Sequence, residues 1–80
     1  MDKVVVFFQP FSRLQNIVVY KNNEVVETAQ VEIDRIPNAV KGMCSTYSIV
    51  DVDLKGSQDY LEKYQSEILT NYNTLNVNII

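Results

Sequence analysis

The sequence predicts a small α/β (α+β) domain built on one mixed sheet, with the element order β-β-β-α-β-α-β. Three observations predict it. Residues 48–80 read as strand, glycine turn, amphipathic helix, polar loop and strand, the βαβ unit whose crossover is right-handed and parallel. Two apolar runs, 16–20 and 25–31, flank Asn22-Asn23 as in a tight hairpin. Between these units, residues 36–47 carry apolar side chains at helical spacing.

Each element follows from local chemistry. Val4, Val5, Val6, Phe7 and Phe8 form an unbroken apolar run ended by Gln9-Pro10, which predicts a central strand covered on both faces. Pro10 and Ser12 place a loop after it. In the hairpin, Asn tolerates the positive φ of a type I′ turn, so Lys21 is expected opposite Glu24, Tyr20 opposite Val25 and Val19 opposite Val26. Residues 31–34 extend the strand or lead out of it. Pro37 has no N–H to lose in a first helical turn. Ile36, Val40, Met43, Cys44 and Tyr47 then share one helix face, interrupted off that face by Gly42.

In residues 49–54, apolar and polar positions alternate, so Val50, Val52 and Leu54 are expected on one face and Ile49, Asp51 and Asp53 on the other. Gly56 supplies a tight exit, Ser57 an N-cap hydroxyl and Asp59 a carboxylate for the helix dipole. Tyr60, Leu61, Tyr64, Ile68, Leu69 and Tyr72 trace a helical stripe. Asn71 and Asn73 are expected to end that helix in a left-handed conformation, and residues 75–80 alternate again as a last strand.

Length and composition narrow the function. Eighty residues make a single domain, 1–80, and 46% hydrophobic with 21% charged residues is an ordinary globular balance. A domain this small buries only about 60% of its unfolded surface, which favours a partner or a homodimer. The net charge is −3, and the seven Lys and Arg are scattered, which disfavours direct nucleic-acid binding. No apolar run is long enough for a membrane span or a signal-peptide core. One cysteine, Cys44, forbids an intramolecular disulfide and suits a reducing cytoplasm.

The element order resembles that of the RNase H-like core, which is also the half-domain of actin-like ATPases. A ferredoxin-like sandwich is the alternative if the first helix fails. The resemblance implies chemistries whose motifs are missing. RNase H-like nucleases carry a metal-binding carboxylate on the first strand, where this chain has VVVFF. Actin-like ATPases carry a Gly-rich phosphate loop, where this chain has Gln9, Pro10, Phe11, Ser12 and Arg13. In sequence style the chain also resembles small uncharacterised proteins encoded by phages of Gram-positive bacteria, which would place it in a host cytoplasm.

Two constellations remain as candidate sites. Asp51 and Asp53 lie on one strand face with Asp59 and Glu62 beyond the turn, an arrangement that offers Mg²⁺ ligands or is simply a solvated face. Tyr47, Tyr60, Tyr64 and Tyr72 line helix faces, where tyrosine serves either as a binding surface or as the edge of a core. Cys44 has no histidine to activate it and falls on an apolar face. The expected function is a non-catalytic protein–protein interaction module, a phage accessory protein or inhibitor of a host protein, with Tyr47, Tyr60, Tyr64, Asp51 and Asp53 as binding residues and no cofactor or metal. The alternatives are a small metal-dependent hydrolase or nucleotide-binding remnant, and a structural homo-oligomer paired through its last strand.

Overall fold

The computed structural model describes all 80 residues. The elements are β1 (Lys3–Phe8), β2 (Leu14–Lys21), β3 (Glu24–Glu32), a 3-10 turn (Ile33–Arg35), α1 (Ile36–Tyr47), β4 (Asp51–Gly56), α2 (Gln58–Asn71) and β5 (Asn76–Ile79). They form one five-stranded sheet in the order β3-β2-β1-β4-β5. The β1–β2 and β2–β3 pairs are antiparallel, and the β1–β4 and β4–β5 pairs are parallel. This is the element order expected from sequence. Because α1 forms, the ferredoxin-like alternative falls.

Both crossovers step the same way across the sheet, so right-handed connections set α1 and α2 on the same face. There Val4, Val6, Phe8, Ile17, Val19, Val52, Leu54 and Val77 meet Ile36, Val40, Cys44, Leu61, Tyr64 and Ile68 in one core. The opposite face carries no helix. The second face of β1 is therefore covered by neighbouring side chains and not by a helix. Val5 is only 3% exposed on the helix-free side, where the flanking strands' side chains shield it.

The hairpin turn forms as expected, with Asn22 at φ 54 and Asn23 at φ 65, both positive as a type I′ turn requires. Lys21 pairs Glu24 and Tyr20 pairs Val25, but Val19 pairs Glu27, with a register shift between Val19 and Tyr20. Val26 is the extra residue of a bulge, 43% exposed. The cause is the face each residue would take. A regular ladder sends Thr28 and Gln30 toward the helices. The one-residue shift sends Ala29 and Val31 there instead; Val31 packs against the core and Ala29 is half-buried.

Four further expectations change in the βαβ unit. Ser48 ends α1 at φ 57, and Ile49 N–H donates to the Cys44 carbonyl at 2.9 Å. That turn buries Ile49 and leaves Val50 51% exposed, the reverse of strand alternation, and β4 starts only at Asp51. Ser57 is the N-cap of α2 but its hydroxyl makes no capping bond; its N–H donates to the Phe8 carbonyl at 2.9 Å. Leu69, one position past the stripe's centre at Ile68, is 37% exposed. The helix ends at Tyr72 with φ −138 rather than at a left-handed Asn.

Burial pushes the Cys44 thiol up to about 11, Asp51 adding to the shift and Lys41 opposing it. Burial likewise raises the Tyr64 phenol. The unfolded chain therefore ionises these groups first. The stability Cys44 contributes is complete below the ordinary thiol value of 9.0 and is lost as pH rises toward 11. In urea unfolding, the Cys44 contribution is expected to hold constant up to about pH 8 and to fall by about 2 kcal/mol by about pH 11. Cys44→Ala should abolish that part of the loss.

Candidate functional site

The helix tyrosines frame the core. Tyr64 is 5% exposed and stacks on Phe8 with ring centroids 5.4 Å apart. Tyr60 is half-buried, 5.9 Å from the same ring. The Tyr47 hydroxyl donates to the Glu27 carboxylate at 2.8 Å, a bond that raises its pKa, and the Tyr47 carbonyl accepts from Lys21 Nζ at 2.9 Å. The Tyr47 hydroxyl serves the fold, while Tyr60 and Tyr64 share the Phe8 ring with their own rings 6.3 Å apart.

Asp51 and Asp53 lie on the helix-free face, as the alternation predicted. Asp53 pairs with Lys3 at 3.4 Å, and Asp51 accepts from Asn76 Nδ2 at 3.2 Å. Asp59 belongs to the first turn of α2, which covers the other face. The three do not come together, and no group of three Cys, Asp or Glu side chains is placed to hold a metal ion.

Around Asp51 and Asp53 the strand registers order the whole face. Val5 and Phe7 run down its centre on β1, with Val18 and Tyr20 beside them on β2. Lys3 Nζ lies 5.9 Å from the Tyr20 ring, and Lys55 Nζ 5.6 Å from the Phe7 ring. Thr28, Gln30 and Asn78 form an exposed rim. A shallow depression along Val5, Phe7, Tyr20 and Ile80 runs between the two lysines.

The second surface was missed in the sequence. Residues 9–13 join β1 to β2 at the carboxyl end of β1. Gln15 is a fully buried polar side chain, and its amide ties this loop down. Its Oε1 accepts from the Gln9 N–H, and its Nε2 donates to the Gln9 carbonyl at 3.1 Å and the Ser12 carbonyl at 2.8 Å. Ser12 Oγ accepts from the Leu14 N–H at 3.2 Å and donates to its carbonyl at 2.9 Å. On this fixed loop Phe11 sits at φ 60, and it is 100% exposed.

Phenylalanine in the left-handed region costs on the order of 1–3 kcal/mol, and here no burial offsets it. Arg13 and Leu14 follow it in the chain, both exposed; the Arg13 guanidinium makes only a 3.5 Å surface pair with Glu32. Phe11→Gly is therefore expected to raise stability by about 1 kcal/mol, read as a higher urea midpoint at unchanged slope. A lower midpoint would show that the ring makes contacts with the fold. The only sequence signal was an aromatic residue in a Pro-Ser loop, which fixes neither φ nor exposure.

No family model and no curated protein matches the chain. Among solved structures, the crystal structure of PH0822 is similar at 14% identity and a TM-score of 0.39, over 99% of this chain and 78% of that one. A likeness at that level carries no argument about function.

Proposed function

We propose that the protein is a non-catalytic protein-interaction module whose anchor is Phe11. The observation that carries this reading is the fully exposed ring, held at a strained φ on a loop that Gln15 fixes from beneath. A side chain kept out of water's reach nowhere in the fold, at a cost to stability, is what an interface hot spot requires before its partner arrives. Burying such a ring contributes about 1.5–3 kcal/mol. The partner is a protein with an apolar pocket for Phe11 and a carboxylate within reach of Arg13.

The chemistry elsewhere supports a binding role over catalysis. The chain has no histidine, its one thiol is buried and hard to ionise, and its carboxylates are dispersed over two faces of the sheet. A single free, buried cysteine suits a reducing compartment such as the cytoplasm. No helix is long and apolar enough to cross a membrane.

Affinity capture with tagged protein, run in Mg²⁺ and in EDTA and read by mass spectrometry, tests the reading. One dominant protein retained equally in both conditions is expected. A partner retained only with Mg²⁺ would overturn it in favour of a metal-dependent role.

A further inference from the structure

The helix-free face is a separate surface, and its charges are arranged to complement themselves. On a molecule of net charge −3, this face holds two lysines, Lys3 and Lys55, and two aspartates, Asp51 and Asp53, with Glu32 at its β3 edge paired to Arg13. Along β4, Asp53 and Lys55 project to the same side two residues apart, and β1 sets Val5 beside Asp53 and Phe7 beside Lys55. Consider a two-fold axis lying in the plane of the face, perpendicular to the strands and midway between these two rows. It places Asp53 of each copy, which also pairs with Lys3 of its own chain, opposite Lys55 of the other, and Val5 of each opposite Phe7 of the other. The same operation sets Thr28 opposite Gln30 and Val18 opposite Asn16, because β2 and β3 share these rows. No like charges meet in these two rows.

We propose that this face is the interface of a homodimer, in which the sheets of two copies stack face to face with their strands running oppositely and their helices outermost. Stacked sheets pack about 10 Å apart with strands aligned to within about 30°, a geometry open to a face that carries no helix. A two-layer domain presents its sheet across its longer dimensions, here 32 and 24 Å. Contact over that face approaches the roughly 800 Å² per partner of a stable interface. Phe7, Val18 and Tyr20, each half-buried, are the apolar side chains that such a contact removes from water over the buried Val5, and the Asp53–Lys55 pairs fix its register. The longer free edge, β3, offers a competing contact through strand pairing, but its bulge at Val26 breaks the regular ladder.

Sedimentation velocity over a concentration series tests the proposal. The wild-type chain is expected to pass from monomer to dimer at concentrations on the order of micromolar. Lys55→Glu brings two carboxylates into each contact and should weaken the dimer by about tenfold or more. Adding Asp53→Lys to that variant together with Lys3→Glu, which keeps the ion pair within the chain, reverses the charges across the contact and should restore the dimer. Lys63→Glu, an equal charge change on exposed α2, should leave it unchanged. Circular dichroism of each variant reports folding, and restoration by the combined change cannot come from a misfolded chain. A wild-type chain that stays monomeric at about millimolar concentration overturns the proposal. So does a dimer that Lys55→Glu leaves intact, which would move the interface to a strand edge.

Discussion

Alanine at Gly56 is expected to leave most of the protein unfolded at room temperature. Gly56 adopts φ +110, and a Cβ built there stands 2.2 Å from the Phe8 carbonyl oxygen and 2.9 Å from the Phe8 nitrogen. Both are backbone atoms of the central strand, so no rotamer change relieves the clash. Moving β1 away breaks the bond from Ser57 N–H to that same carbonyl and opens the core at Phe8. A backbone clash combined with a forbidden φ costs at least about 4 kcal/mol, comparable to the whole stability of many small domains. Urea unfolding followed by circular dichroism reads the result. Gly42→Ala is the contrast. Nothing lies within 4 Å of its added methyl, and in an exposed helix interior it should stabilise by about 1 kcal/mol. Two glycines, one substitution, opposite signs.

Gln15→Leu is expected to cost about 3 kcal/mol. Leucine fills nearly the same volume, so the loss is polar rather than a cavity. The Gln9 N–H loses its acceptor, and the Gln9 and Ser12 carbonyls lose their donor. Orphaned polar groups at a buried site cost about 1–3 kcal/mol each before water repairs some of them. The damage is local as well as global. Amide hydrogen exchange of residues 9–14 should rise well above the change at β4, since the loop loses its tether while the sheet ladder stays. A uniform rise across the chain would show that Gln15 supports the core and not the loop.

The parts of the fold that sequence makes legible are those decided by local chemistry. Asn22-Asn23 dictates its turn, Gly56 its exit, and alternation places Val52 and Leu54 against Asp51 and Asp53. The bulge at Val26 escaped because a turn fixes register only beside itself; farther along, the faces of Ala29 and Val31 decided. The bare sheet face escaped for a related reason. VVVFF reads the same whether helices or neighbouring side chains cover its second face. The tyrosines show the limit most clearly, since a helical stripe of Tyr60 and Tyr64 looks alike at a core boundary and at a binding surface. Phe11 was illegible because nothing in Gln9-Pro10-Phe11-Ser12 announces a left-handed residue. Its conformation is set by Gln15, from within the next strand.

Capture of a partner by wild-type protein and by Phe11→Ala, side by side at equal concentration, tests the anchoring role most directly. The ring touches nothing in the fold, so the variant should unfold at an unchanged or slightly higher urea midpoint while retaining about tenfold less partner or lower still. Equal retention by the two chains would contradict the role assigned to Phe11.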